Sequence, residues 1–260
     1  MHIAVCIKQV PDTDKVTIDR ETNRLNRAGV PSVLNPFDEN ALELALHLKD
    51  TQGAKVTVIT MGPPQAEEML RRTLALGADD AVLVSDPKLG GSDTWATSLA
   101  LAATIKKLGP VDLVLFGKQA IDGDTAQVGP ETAVFLDLPI VTYIKQLDKT
   151  DDGYRVTQVT DNGYDVWDVD SPAAFTVVKD ANILRLITLR GKLEANKREI
   201  RQFNLADLGL EPAQTGLKGS PTKVSKIFTP PVKHARMKLE GSPSEMAEGL
   251  FGNLKERGLL

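Results

Sequence analysis

Residues that mark several common classes of site are scarce in this sequence of 260 residues. Its one cysteine, Cys6, excludes an internal disulfide and any cluster of cysteine ligands. Its three histidines are scattered and show no metal-binding spacing. The net charge of −4 and the pI near 5.5 argue against nucleic-acid binding, which normally needs a clustered basic face. We therefore expect neither a metal site nor a nucleic-acid partner.

Long apolar runs are missing as well. No segment approaches the roughly 18 uninterrupted apolar residues of a membrane-spanning helix, and the apolar run at the N-terminus ends at Lys8, too soon for a secretory signal. The composition, 42% hydrophobic and 25% charged, is typical of a globular protein. We expect a cytoplasmic protein without membrane insertion, and the lone cysteine fits a reducing compartment.

What the sequence does contain is an alternation of strand and helix patterns. Asn35 and Pro36 predict the start of one helix, and Gly53 predicts its end. Such alternation implies right-handed crossovers, and therefore an α/β fold with a doubly wound, mostly parallel sheet. The predicted strands cover residues 3–7, 55–61, 81–84 and 111–116, the predicted helices cover residues 36–52, 65–76 and about 94–108, and a small hairpin is predicted at residues 16–19 and 24–26.

The pattern changes after Pro139. Asp-Gly at residues 152–153 and Asn-Gly at residues 162–163 are typical of hairpin turns. They lie among predicted strands that we interpret as an antiparallel extension of the same sheet. These strands cover residues 141–147, 154–160, 164–169 and 173–178.

The last part of the chain shows little periodicity. From about Arg190 it is basic and then irregular, which indicates a long C-terminal arm that lies on something else. We therefore expect an α/β domain over residues 1–190 and an arm over residues 191–260, with one amphipathic helix near residues 244–257.

The stretch KQAIDGDTAQVGPE, residues 118–131, is the strongest candidate site, although Walker A and GxGxxG fingerprints are both absent. It is the last of four loops that leave predicted strand ends, after residues 7, 61, 84 and 116, and doubly wound sheets bind ligands at the edge where such strands end. Gly123 and Gly129 allow a close approach of the backbone. Asp124 or Thr125 is predicted to cap the next helix and to leave free amides for a phosphate. An Asp-Gly turn before a helix is the alternative interpretation.

The stretch GGSDTWATS, residues 90–98, is a second candidate. Asp93 or Ser92 is suited to cap a helix whose first turns carry Thr94 and Thr97, and these side chains could contact a phosphate or a sugar. A capped helix start without a ligand is the favoured interpretation on spacing alone. No nucleophile–base pair stands out, so no catalytic residue is predicted, and Cys6 on a buried strand indicates an inert thiol.

Five motifs together resemble the beta (small) subunit of electron-transfer flavoproteins. They are CIKQVPDT, NPFDENALE, TMGPP, ALGAD and, above all, GKQAIDGDTAQVGPE. The resemblance runs nearly end to end, from Ile3 to Pro231. It implies a Rossmann-like domain, a heterodimer with an alpha subunit that carries FAD, and an arm that wraps this alpha subunit.

The resemblance also implies a cofactor. The AMP-binding type of beta subunit has an acid where Gly123 stands and a Cys-Asn pair where Thr125 and Ala126 stand. This sequence, like its GGSDTWATS stretch, is more similar to the bifurcating type, so we expect FAD, with AMP as the alternative and NADH as electron donor. The implied cofactor-binding residues are Cys6, Asn35, Pro36, Phe37, Asp38, Met61, Asp93, Thr94, Thr97, Gly123, Asp124, Thr125, Gln127, Val128, Gly129, Glu131 and Thr132.

The implied reaction is electron bifurcation. The beta-bound FAD takes a hydride from NADH, one electron passes to ferredoxin or flavodoxin, and the other passes through the alpha FAD to a flavin dehydrogenase of acyl-CoA, enoyl-CoA or 2-hydroxy acid type. The segment LRLITLRGK, residues 184–192, matches the docking loop of the family, with Leu189 as its anchor. The family often has an aromatic residue where Leu186 stands, which leaves the identity of the dehydrogenase open.

Two other functions remain open on the sequence. One is an AMP-binding subunit of a simple electron shuttle. The other is a regulatory module that binds an adenine nucleotide and has no redox role, since the fold alone does not fix the function.

Overall fold

The computed structural model describes residues 1–12, 17–19, 24–26, 32–225 and 237–260. The chain divides into two compact units, Met1–Ser225 and Lys226–Leu260. Parts of the sequence predictions lie outside the described residues: Thr13 of the motif CIKQVPDT, Val16 of the hairpin, residues 226–231 of the resemblance, and one of the three histidines, His234. No helix within the described ranges is both long enough and apolar enough to cross a membrane.

The first unit is built on a sheet of nine strands. Its strands in chain order are β1 (His2–Cys6), β6 (Lys55–Met61), β7 (Asp80–Val84), β8 (Leu113–Gly117), β9 (Ile140–Lys149), β10 (Gly153–Thr160), β11 (Gly163–Asp170), β12 (Ala173–Val177) and β13 (Ile200–Phe203). Two small antiparallel pairs, β2 (Gln9–Pro11) with β5 (Ser32–Leu34) and β3 (Thr17–Asp19) with β4 (Arg24–Asn26), stand apart from it. The nine strands lie in the order β11-β10-β9-β12-β8-β1-β6-β7-β13.

Helices cover both faces of this sheet, so the predicted doubly wound α/β fold is confirmed. Along β1, Ile3 and Val5 pack into the core on one face of the sheet, with the helices at residues 36–52, 67–76 and 189–195. Ala4 and Cys6 pack into the core on the other face, with the helices at residues 94–108 and 128–136. This alternation follows the period of two of a strand. The helices in chain order are α1 (Pro36–Gln52), α2 (Glu67–Leu76), α3 (Thr94–Leu108), α4 (Val128–Leu136), α5 (Leu189–Ala195), α6 (Gly216–Gly219) and α7 (Pro243–Glu256).

The antiparallel extension is confirmed for part of the predicted segment. Strand β10 pairs antiparallel with β9 and β11. The prediction is wrong for the last strand, because β12 returns into the parallel part of the sheet and lies between β9 and β8. All five residues of β12 are buried. A strand without polar alternation is typical of the covered interior of a parallel sheet, not of an extension.

One strand of the nine-stranded sheet has no counterpart among the sequence predictions. Residues 200–203, in the segment interpreted as irregular, form β13 and pair parallel with β7. Its sequence, IRQF, is short and carries two polar residues, so it shows no strand period. The sheet thus continues past residue 190, while the proposed division at 190/191 stays a prediction.

The second unit contains α7, which confirms the predicted last helix. Ser242 caps it, because its hydroxyl accepts the amide hydrogen of Glu245 (3.4 Å) while the Glu245 carboxylate accepts the amide hydrogen of Ser242 (2.7 Å). Leu250 and Phe251 on this helix are exposed.

Candidate functional site

A cleft lies at the edge of the sheet where the parallel strands end. Strands β6 and β7 lie on one side of β1 and β8 lies on the other, so the strand order reverses between β1 and β8. Ligands bind at such a reversal in doubly wound sheets. The loops after β1, β6, β7 and β8 meet there, as predicted, and they line a cavity of about 710 Å³.

Most of the residues predicted to bind a cofactor meet in this cleft. The structure thus brings together side chains that are separated by more than 100 positions in the chain. Those that line the cleft are Cys6, Asp38, Met61, Asp93, Thr94, Thr97, Gly123, Thr125, Gln127, Val128, Gly129 and Glu131. Those that do not line it are Asn35, Pro36, Phe37, Asp124 and Thr132.

Asn35 does not line the cleft, but its side chain holds one of the cleft loops in place. It stands at the N-cap position of α1, as the sequence predicts, but its side chain makes no cap hydrogen bond. Its Nδ2 instead donates to the carbonyl of Gln119 (2.8 Å), and its Oδ1 accepts the amide hydrogen of Ile121 (3.2 Å). The buried Asn35 therefore fixes the loop that follows β8.

Asp38 joins the ends of two neighbouring strands. Its carboxylate accepts the amide hydrogens of Lys8 (2.7 Å) and Gly117 (3.1 Å), which follow β1 and end β8. A Cβ on Gly117 would lie 2.2 Å from Asp38 Oδ1, so only glycine permits this approach. Burial raises the pKa of Asp38 to about 7, although the hydrogen bonds from Asn35, Lys8 and Gly117 act in the opposite direction.

Cys6 is buried at the end of β1. Burial, together with the nearby Asp38 carboxylate, raises the pKa of its thiol far above the ordinary value. The neutral thiol is a poor nucleophile, so Cys6 contributes packing to the base of the cleft.

The carboxylates of residues 118–131 each have a partner, which explains why this loop tolerates them. Asp122 pairs with Lys8 Nζ (2.7 Å), Asp124 accepts a hydrogen bond from Gln119, and Glu131 accepts hydrogen bonds from Thr94 Oγ1 and Ser98 Oγ (both 3.1 Å). Lys118, which lines the cleft as Lys8 does, lies over the ring of Tyr143. Asp122 is thus paired with a cation, and the other two carboxylates are held by neutral donors of the fold.

The helix after this loop begins later than predicted. Asp124 and Ala126 both have φ of 54°, so the chain turns twice before α4 starts at Val128. Gln127 is the N-cap residue and makes no side-chain cap hydrogen bond, so the predicted capping by Asp124 or Thr125 is wrong.

The start of α4 supplies main-chain donors to the cleft. Val128 and Gly129 are the first two helical residues, whose amides have no partner within a helix, and both residues line the cleft. Two amides at a helix start, with the hydroxyls of Thr97 and Thr125 along the same cleft, form a donor set that suits a diphosphate. The residues present thus fit a dinucleotide.

Some lining residues were not found by sequence reasoning. Trp95, 47% exposed, lies edge-to-face against Phe135 at a centroid distance of 4.7 Å. Lys8 lies two residues after the end of β1, a position that could have identified it. Pro221, Thr222 and Val224 come from the unpatterned tail, where no sequence signal marks them.

The predicted docking segment is exposed. Leu189, the first residue of α5, is 77% exposed, and Leu186 is 90% exposed. Arg185, directly before Leu186, is tied to α1, because its guanidinium donates to both Glu43 carboxylate oxygens (2.9–3.2 Å) and contacts Asp50 (2.9 Å). A rigid helix therefore supports an exposed apolar segment.

Comparison with known proteins identifies the family. The electron transfer flavoprotein domain matches residues 22–208. The chain is 49% identical over 262 residues to the caffeyl-CoA reductase-Etf complex subunit CarD of Acetobacterium woodii, with all of both chains covered. It is 51% identical over 247 residues to the electron transfer flavoprotein subunit beta of Megasphaera elsdenii, with 92% of each chain covered.

A further relative is named for a different reductase. The acryloyl-CoA reductase electron transfer subunit gamma of Anaerotignum propionicum is 43% identical over 267 residues, with all of both chains covered. The resemblance that the sequence motifs predict is confirmed by these matches: the chain belongs to the electron transfer flavoprotein family, as a beta subunit.

Proposed function

We propose that this chain is the beta subunit of an electron transfer flavoprotein of the bifurcating type and that its cleft holds FAD. In this proposal the complex takes a hydride from NADH. One electron passes to ferredoxin or flavodoxin, and the other passes through the FAD of an alpha subunit to a flavin dehydrogenase. The observation that carries the proposal is the cleft of about 710 Å³ at the reversal of strand order, lined by amide and hydroxyl donors.

The cleft supports FAD over AMP. Its volume lies within the range of about 300–1,000 Å³ that is usual for cofactor sites, so there is room for more than an adenylate. Gly123 leaves the rim open, since a Cβ at this position would have no atom within 4 Å. The AMP-binding type, to which the sequence is less similar, has an acid at this position.

The chain's own residues bind and orient the cofactor in this proposal. The amides of Val128 and Gly129 and the hydroxyls of Thr97 and Thr125 hold the phosphates, and Trp95 supplies an apolar wall. Flavin, when bound, supplies the hydride and one-electron chemistry. No side chain acts as a general acid or base, because Asp38 and Glu131 are already engaged by hydrogen bonds within the fold.

The partners follow from the same proposal. The names of two relatives include caffeyl-CoA reductase and acryloyl-CoA reductase, and these names favour an acyl-CoA or enoyl-CoA dehydrogenase over a 2-hydroxy acid type. We propose that Leu189 docks this enzyme, since a few exposed anchors can carry most of the affinity of a transient complex. Residues 191–260 are proposed to wrap the alpha subunit.

The cofactor inventory of the complex with its alpha subunit tests the proposal. We expect two FAD per heterodimer and bleaching of flavin absorbance when NADH is added. One FAD and one AMP per heterodimer would reject the bifurcating type in favour of the shuttle. A homodimer that binds ATP without flavin would favour the regulatory module.

A matched pair of variants connects the second FAD to this cleft. Thr125→Asp adds a carboxylate beside the proposed diphosphate, and we expect it to lower the FAD content of the complex from two toward one. Thr125→Val removes only a hydroxyl and keeps the shape, so it should retain most of the FAD. Equal flavin content in both variants would place the second FAD elsewhere.

A further inference from the structure

Residues 216–217, near the C-terminal end of the first unit, pack closely against the loop before α3. The amide of Gly216 donates to Ser92 Oγ (3.0 Å), and a Cβ on Gly216 would lie 2.1 Å from the carbonyl oxygen of Lys88. A Cβ on Gly91 would lie 2.5 Å from Leu217 Cγ. Glycine is therefore required on both sides of this contact, which positions the residues that follow.

Residues 220–224, which we call the strap, continue from this contact along the cleft. Pro221, Thr222 and Val224 of the strap line the same cavity as Thr94 and Thr97. Ser220 is buried, and its hydroxyl accepts the amide hydrogen of Asp93 (2.8 Å) and donates to the carbonyl of Gly216 (2.6 Å). The strap thus forms a wall of the cleft that is separate from the sheet.

Asp93 holds the strap in place. Its Oδ2 accepts two hydrogen bonds from Thr222, one from the amide (2.9 Å) and one from the hydroxyl (2.8 Å). Its Oδ1 accepts the amide hydrogen of Ala96 and caps α3 (3.1 Å). Burial favours the neutral acid, but the hydrogen bonds from Ala96 and Thr222 outweigh it and lower the pKa of Asp93. The carboxylate is therefore ionised at neutral pH and makes charge-assisted hydrogen bonds.

We propose that Asp93 is a positioning residue that controls the release of the bound nucleotide by tying the strap to the start of α3. Both of its carboxylate oxygens are already used within the chain, so it acts through the strap and not as a direct ligand. The nucleotide leaves after the contacts between Asp93 and Thr222 have broken. The proposal rests on the proposed function for the identity of the ligand, FAD, but not for the existence of the strap.

Three variants of the full chain, each purified with its alpha subunit, test the role of the strap. Thr222→Pro removes the amide and the hydroxyl donors and leaves Asp93 intact. Asp93→Asn keeps the cap oxygen of α3 and places an amide group, a donor, against the amide of Thr222. Thr222→Ser keeps both donors and is the matched control. The measurements are the rate of nucleotide release, followed by chromatography of filtrates after dilution, and hydrogen exchange of residues 220–225 with and without nucleotide.

We expect Thr222→Pro and Asp93→Asn to release FAD about tenfold faster than the wild type, since each loses a hydrogen bond to a charged group. Thr222→Ser should stay within about twofold of the wild type, and hydrogen exchange of residues 220–225 should rise in the first two variants only. Unchanged release despite faster hydrogen exchange would overturn the proposal. If the wild-type complex carries AMP in place of FAD, the proposed function fails, and the release of AMP tests the strap by the same comparison.

Discussion

Burial and hydrogen bonds have opposite effects on the pKa of the Asp38 carboxyl group. Its folded pKa of about 7 lies above the ordinary value of 3.8, so the folded chain holds a proton that the unfolded chain has lost between these two pH values. The contribution of Asp38 to the free energy of unfolding therefore falls as pH rises from about 4 to 7. The full contribution is roughly 4 kcal/mol as an upper bound.

Urea unfolding at pH 4.5 and 7.5 measures this contribution when the wild type is compared with Asp38→Asn. The variant also loses an acceptor for one amide, but that offset is independent of pH, so the slope is the informative quantity. Asp168→Asn is the control. Arg155 lowers the pKa of this exposed acid, so the contribution of Asp168 to the free energy of unfolding does not change between pH 4.5 and 7.5. A wild-type slope that matches that of Asp38→Asn would show that Asp38 is ionised in the folded chain.

Individual residues also show how far sequence reasoning reaches. The sequence indicated that the loops after four strands meet, because the carboxyl ends of parallel strands share one edge of the sheet. It could not assign hydrogen-bond partners. Asn35 follows the rule for an N-cap, yet its side chain serves Gln119, which is 84 positions away. Asp124 follows the same rule, yet its φ of 54° takes it out of the helix start.

At the scale of elements, Arg185 connects the predicted docking segment to α1. It pairs with both oxygens of Glu43, and its side chain is only 29% exposed while that of Glu43 is 14% exposed. We expect Arg185→Gln to lower the free energy of unfolding by about 1–2 kcal/mol. We also expect faster hydrogen exchange of residues 182–189 and a higher KM for the partner dehydrogenase, with kcat unchanged.

A control for this prediction is available on the far edge of the sheet. Arg155 on β10 forms an ion pair of similar geometry with Asp168 on β11, but both side chains of this pair are exposed. Arg155→Gln should leave the hydrogen exchange of residues 182–189 and the KM unchanged. An equal effect of both substitutions on KM would mean that net charge, and not the position of the segment, controls docking.

At the scale of the whole molecule, the alternation of elements predicted the doubly wound sheet, but not the full order of its strands. The places of β12 and β13 depend on pairing with β8 and β7, and the patterns of single segments carry no signal for such partners. The family could be identified from the sequence because the loop sequences at the cleft are specific to it. The order of the strands could not, since it follows from the packing of all segments together.

The folded unit can end at residue 190, as the sequence predicts, or at residue 225, as the contacts of the chain indicate. The two candidate boundaries differ by residues 191–225, which carry β13 and the buried side chains of Ile200 and Leu205. A chain that ends at residue 225 keeps these core contacts, so its melting temperature should match that of the full chain, while pairing with the alpha subunit is lost. A chain that ends at residue 190 loses the burial of two large side chains, worth roughly 3–6 kcal/mol.

Thermal melts of the two truncated chains and of the full chain, recorded without the alpha subunit, measure this difference, and gel filtration with the alpha subunit measures pairing. Because a loss of 3–6 kcal/mol approaches the whole stability of many domains, the chain of 190 residues should be unfolded or aggregated. If it melts with the full chain, β13 is an accessory strand and the arm begins at residue 191. If the chain of 225 residues still pairs with the alpha subunit, the helix α7 is dispensable for assembly, and the interface lies on the sheet unit.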